Sequence, residues 1–135
     1  MVAGLDHQPC GTHGLRIHGA TTNTVGEAHL GMYGDDAEGV AALAREYPDL
    51  AAALHPRLDC LRAEVVWHAR HEMARTVEDV LARRTRALLL DARASMEAAP
   101  AVAAILAAEL GRDAAWQAGQ VSAYRALAAG YLIAD

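Results

Sequence analysis

Asp59-Cys60-Leu61-Arg62-Ala63-Glu64-Val65-Val66-Trp67-His68-Ala69-Arg70-His71-Glu72-Met73 is the stretch on which the fold turns. Leu61, Val65, Ala69 and Met73 recur every fourth residue, the spacing that lines side chains along one face of an α-helix. Asp59 stands where a carboxylate can accept hydrogen bonds from the first free N–H groups. The expectation is a helix capped by Asp59 that buries this stripe. The same helix carries Glu64, His68 and His71 at i, i+4 and i+7, with Arg75 on the next turn.

Downstream, Thr76-Val77-Glu78-Asp79 offers Thr76 as an N-cap with an acid three residues later, a variant of the capping box. It predicts a further helix through Val80, Leu81 and Arg84. A long helix follows Leu88-Leu89-Leu90, with Ala92, Met96 and Ala99 inside it. Pro100 either kinks that helix or opens a new one as its first residue. Val102, Ile105, Leu106 and Leu110 continue the apolar pattern, and Gly111 is a natural stop. Asp113 is placed to cap a last helix whose face is Trp116, Gln120, Ala123, Tyr124, Leu127 and Tyr131. Upstream, Asp35 or Asp36 caps a helix with Val40, Leu43 and Ala44 that ends before Pro48. A short helical turn from Asp49 to Leu54 is stopped by His55-Pro56. No stretch after residue 40 alternates with a period of two over strand length.

Ahead of this the composition changes. Eight of the 11 glycines lie between Gly4 and Gly39, and four of the seven histidines between His7 and His29. Such a stretch reads as a linker or extended arm over residues 1–34, with Leu15, Ile17 and His18-Gly19-Ala20 forming a short extended piece that lies on a neighbouring surface. The fold expected is an all-α helical bundle of about five to six helices over residues 35–135, preceded by that Gly/His-rich arm.

Composition excludes several functions. A chain of 135 residues that is 53% apolar can bury a core without staples. The abundance of alanine favours closely packed helices. A net charge of −5 leaves no basic stripe for nucleic acid. The longest nearly uniform apolar run, Ala98 to Ala108, is far short of the roughly 20 residues a membrane span needs. No charged and then apolar leader opens the sequence, and two cysteines fifty residues apart fit free thiols in a reducing cytoplasm.

Three groups of residues bear chemistry. His7-x-x-Cys10-x-x-His13, with His18 nearby, supplies zinc-ligand types at a spacing that fits no structural zinc pattern, so solvated or hydrogen-bonded histidines are expected. Glu64, His68 and His71 with Arg75 place a carboxylate, two imidazoles and a guanidinium on one face. The order His68-x-x-His71-Glu72 is not HExxH, and the cation at Arg75 opposes a metal. A buried ion-pair and hydrogen-bond network is the expected role, because buried charges must be paired. Arg83-Arg84-Thr85-Arg86, opposed by Glu78 and Asp79, cannot put three guanidinium groups on one helix face. At least one is expected to meet a partner, and docking between domains or subunits is favoured over a phosphate site. Trp67, Trp116, Tyr124 and Tyr131 are expected as core or interface anchors.

The run from Glu64 to Arg86 closely resembles the C-terminal helical domain of the FAD-dependent glycerol-3-phosphate dehydrogenases and alpha-glycerophosphate oxidases. Cys10-x-Thr12 with Leu15-x-Ile17-His18-Gly19-Ala20, then Leu54-His55-Pro56, Leu90-Asp91-Ala92-Arg93-Ala94 and Glu109-Leu110-Gly111-Arg112-Asp113 extend the resemblance over essentially the whole chain. It implies membership of an enzyme that oxidises sn-glycerol 3-phosphate to dihydroxyacetone phosphate, with flavin passing electrons to quinone or oxygen. No two glycines here are separated by a single residue, so the G-x-G-x-x-G turn of a flavin fold is absent. FAD is therefore expected in the full-length family enzyme and not in this chain, which carries no catalytic or FAD-contacting residue.

The partner this implies is the FAD-bearing catalytic domain, in cis or in trans, or a second copy in a homo-oligomer. The residues expected in docking or in the ion-pair network are Glu64, His68, His71, Glu72, Arg75, Asp79, Arg83, Arg84 and Arg86. The expected location is cytoplasmic, or peripheral to a membrane through the full-length enzyme. A free-standing interaction module using Arg83, Arg84 and Arg86 is the competing reading, and a metal-binding helix through His68 and His71 a weaker third.

Overall fold

The computed structural model describes residues 9–21 and 28–132. A 3-10 stretch, Ala28–Asp36, leads into α1 (Ala37–Glu46) and a 3-10 turn at Pro48–Ala51. A hairpin of β1 (Ala53–His55) and β2 (Leu58–Leu61) follows, and then α2 (Arg62–His71). A π-helical turn at Asp79–Arg84 precedes α3 (Ala87–Leu90), α4 (Ala92–Leu110) and α5 (Ala114–Ala129). The domain is helical, with one small two-stranded antiparallel sheet.

That hairpin corrects the reading of residues 49–61. Pro56-Arg57 turns the chain instead of merely stopping a helix, and the Arg57 N–H donates to His55 Nδ1 at 3.1 Å. Leu54, Leu58 and Cys60 are buried while Asp59 points out, a period of two compressed into too few residues to stand out from a helical background. Asp59 thus lies on a strand and cannot cap α2. Glu64 does so instead, reaching back to accept the Leu61 N–H at 2.6 Å. The stripe is corrected too. α2 ends at His71, and Met73 has φ 57° and a side chain 76% exposed. At α1, Asp36 occupies the N-cap but accepts no helix N–H, because its carboxylate is taken by His18 at 2.8 Å.

The main core lies around α4. Val65, Val77, Val80, Leu81, Val102 and Leu106 are fully enclosed, each such side chain contributing roughly 1.5–3 kcal/mol of transfer free energy. Asp91 caps α4 through the Ala94 N–H at 2.9 Å, Gly111 closes it at φ 63°, and Asp113 caps α5 through the Trp116 N–H at 2.8 Å. Pro100 sits inside α4 without ending it. Its missing N–H frees the Met96 carbonyl four residues back, and Arg125 Nε of α5 donates to that oxygen at 3.3 Å. Fully buried Ser95 is satisfied twice: its hydroxyl donates to Ala92 O at 2.8 Å and accepts from Tyr124 of α5 at 2.9 Å.

A second, smaller cluster joins the N-terminal elements to α2 through Leu30, Tyr33, Ala37, Val40, Ala63 and Trp67. Here Gly39 is required by contact rather than by backbone angle. A Cβ at that position would lie 2.4 and 2.5 Å from Trp67 ring carbons. The His71 ring also packs on the indole, its centroid 4.0 Å away.

Candidate functional site

At the floor of the second cluster three polar side chains meet. The Tyr33 hydroxyl lies 2.7 Å from Glu64 Oε2 and 2.8 Å from His68 Nε2. Glu64 and His68 are one helical turn apart on α2, so both project toward the same point, and Tyr33 arrives from the preceding 3-10 stretch. With Glu64 ionised, the single Tyr33 proton goes to the carboxylate and His68 donates its Nε2–H to the phenol oxygen. The other Glu64 oxygen is used by the helix cap described above. Among the described residues His68 Nδ1 is buried without a partner, which suits a neutral imidazole unprotonated at that nitrogen.

Burial sets the electrostatics. It pushes His68 down to about 4, with the Arg84 charge acting in the same direction. It raises the Glu64 carboxyl against the lowering effect of the Leu61 and Tyr33 hydrogen bonds. Tyr33 is raised by burial and by the Glu64 charge, and burial pushes the Cys60 thiol up to about 12. The group therefore holds one carboxylate in a neutral cage of phenol and imidazole.

The remaining residues frame this group or leave it. Glu72 lies 3.6 Å from Arg84 Nε, an ion-pair contact, and 3.8 Å from Nε2 of the neutral His68, both too long for hydrogen bonds. Arg84 also donates to the Glu72 carbonyl and, at 3.0 Å, to the Asp79 carbonyl, closing the end of α2 onto the π-helical turn. Arg75 lies beyond α2, off the Glu64–His68 face, and donates to the Ala69 and Ala74 carbonyls at 2.8 Å each. His71, in the last turn of α2, is exposed beside Trp67. Asp79 accepts the Arg75 and Thr76 N–H groups at 3.0 Å while its own N–H donates to Thr76 Oγ1 at 3.1 Å, so the capping box forms. Arg83 pairs with Glu78 at 2.6 Å and Asp79 at 2.9 Å. Arg86, exposed at φ 55°, forms no such pair among the described residues.

The residue sequence reasoning missed is Tyr33. It stands 31 positions before Glu64 in a glycine-rich segment, with no local pattern to mark it. Of the His7, Cys10 and His13 group, His7 lies outside the described residues. Cys10 contacts Thr12 Oγ1 at 3.0 Å, and no group of three metal-ligating side chains occurs among the described residues.

Chemically the buried group can fix structure. Glu64 and His68 are 2% and 1% exposed, so neither reaches a substrate proton as a general base must. Fold and site thus define a helical domain organised around a buried, hydrogen-bonded polar clasp.

Comparison with known proteins names the class. The sequence profile of the family described as the C-terminal domain of alpha-glycerophosphate oxidase matches residues 10–117. The mitochondrial glycerol-3-phosphate dehydrogenase SDP6 of Arabidopsis thaliana is 36% identical over 99 residues, 73% of this chain and 16% of the relative. A probable mitochondrial glycerol-3-phosphate dehydrogenase of Caenorhabditis elegans is 35% identical over 136 residues, 86% of this chain and 19% of the relative. No solved structure matches. The chain belongs to the family of this C-terminal domain, within the glycerol-3-phosphate dehydrogenases. It spans less than a fifth of the length of the curated relatives it matches.

Proposed function

We propose that this chain is the accessory domain of an FAD-dependent oxidoreductase acting on sn-glycerol 3-phosphate, and that it docks on and stabilises the flavin-bearing catalytic body in cis or in trans. One observation carries the reading. A chain matching under a fifth of its dehydrogenase relatives has its carboxylate and imidazole cluster turned inward and hydrogen-bonded to Tyr33. Glu64, His68, Glu72, Arg75, Asp79, Arg83 and Arg84 then form an internal frame. Arg86, beside Leu89 and Leu90 at 67% and 79% exposure, faces the partner. Such a patch of apolar side chains rimmed by a guanidinium suits an interface between domains. Free Cys10 and Cys60 fit a reducing compartment such as the cytoplasm, and among the described residues no helix is long and apolar enough to cross a membrane.

The test is to mix the purified chain with a catalytic fragment of a family glycerol-3-phosphate dehydrogenase that lacks this region. The mixture should show a raised thermal midpoint or restored turnover, with the flavin absorption staying on the catalytic fragment. A flavin band on this chain alone, or no association at all, contradicts the reading.

A further inference from the structure

The segment His13–Ala20 is tied to the domain on one side only. Arg16 Nη2 meets Asp35 Oδ2 at 2.6 Å and Ala20 O at 2.6 Å, and His18 Nδ1 meets Asp36 Oδ2 at 2.8 Å. Ile17 O accepts the Ala20 N–H at 3.0 Å in a tight turn with Gly19 at φ 71°. The turn seats Gly19 against Gly34, itself at φ 57°, and the Asp35 N–H donates to Gly19 O at 3.3 Å. A Cβ on Gly34 would fall 1.7 Å from Gly19 O, and one on Gly19 would fall 2.8 Å from Tyr33 O. Two glycines in left-handed conformations and two ion pairs thus fix this arm just outside the clasp.

The residues alternating with Arg16 and His18 make no such tie, although all four side chains are exposed. Leu15 and Ile17 are 65% and 74% exposed, and neither joins a core cluster. Ordering a glycine-rich segment costs conformational entropy, and burying apolar side chains is what normally offsets it. Here the domain does the ordering and buries neither apolar side chain.

We infer that Leu15 and Ile17 form a two-residue apolar plug that inserts into the surface of the catalytic body of the same enzyme. The inference rests on the docking reading above and adds a second, separate contact to it. Two observations name that occupant. The family match begins at residue 10, so the arm is part of the shared domain, and over four-fifths of each relative's length lies outside the region this chain matches. The period of two, with Arg16 and His18 ion-paired to the domain while Leu15 and Ile17 have no apolar cover, also fits an extended segment laid along a partner.

The experiment titrates the chain and its L15S/I17S variant calorimetrically into the catalytic fragment named above, with L89S/L90S as a parallel variant. Leu15 and Ile17 are exposed, so L15S/I17S should melt with the wild-type chain. It should bind at least about tenfold more weakly, the loss expected when two buried anchors are truncated. Wild-type affinity in L15S/I17S, with L89S/L90S weakened, overturns the plug and leaves the docking reading standing. Failure of the wild-type chain itself to bind removes the docking reading and the plug with it. Self-association of the chain that L15S/I17S abolishes, without effect on the catalytic fragment, makes a second copy the occupant and overturns the assignment.

Discussion

Two tyrosines 91 residues apart do the same geometric task in different chemical company. Tyr124 joins α5 to α4 by donating to Ser95, a neutral hydroxyl inside a dry core of alanine, valine and leucine. Tyr33 joins the N-terminal elements to α2 by bridging a carboxylate and an imidazole. Both rings are buried, yet deleting their hydroxyl oxygens should not be equivalent. In the C-terminal region many small contacts share the load. In the N-terminal region a few polar atoms and one glycine hold the smaller cluster in place.

Tyr33→Phe should have the largest effect. It strands Glu64 Oε2 and His68 Nε2 in a buried setting, where orphaning a charge-assisted partner costs about 3 kcal/mol. Urea unfolding at neutral pH measures it, and a loss equal to that of Tyr124→Phe would erase the contrast. Gly39→Ala comes next, at about 2 kcal/mol, because its methyl group must displace the Trp67 ring. A thermal midpoint unchanged from wild type would show that the indole moves freely. Tyr124→Phe should cost about 1 kcal/mol, the ordinary net worth of a neutral hydrogen bond.

The finest test is the pH dependence. His68 titrates near about 4 in the fold and near 6.5 when free, so the unfolded chain takes up that proton first as pH falls. Its contribution to stability therefore declines from about pH 6.5 toward about pH 4. Glu64 acts in the opposite sense. Its raised carboxyl takes a proton in the fold before it would in the unfolded chain, favouring the fold as pH falls toward 4.5. His68→Gln keeps an N–H donor for Tyr33 but removes only the imidazole effect. The slope of stability against pH between 4 and 6.5 should become less steep by up to about 1.4 kcal/mol per pH unit. Parallel slopes in the two proteins would show that His68 takes up its proton equally in the folded and unfolded chains.

What could be read from the sequence divides along similar lines. The Thr76–Asp79 box, the Gly111 stop and the Asp113 cap are visible because their chemistry closes within three or four residues. Glu64 and His68 as members of a buried polar network follow from helical spacing plus the rule that buried charges are paired. Their principal partner does not, since only the tertiary fold brings Tyr33 to them. The hairpin at 53–61 is hidden by its brevity. Arg75 fails to join the face predicted for it because α2 ends at His71, and His71, in that last turn, lies exposed against Trp67 instead of in the buried group. Arg83 and Arg84 look like docking charges in one dimension and are occupied by Glu78, Asp79 and the Glu72 carbonyl in three. Pro100 is compatible with an unbroken helix only because Arg125, on another helix, serves the carbonyl it frees.

The central claim is that the clasp holds structure and takes no part in the reaction. It is tested most directly by comparing turnover of the catalytic fragment supplemented with wild-type chain or with Tyr33→Phe chain, at a temperature where both are folded and at saturating concentration. The account predicts equal turnover from the two mixtures despite the large difference in stability. Turnover that falls with the Tyr33 hydroxyl, while folding and association stay intact, would contradict it.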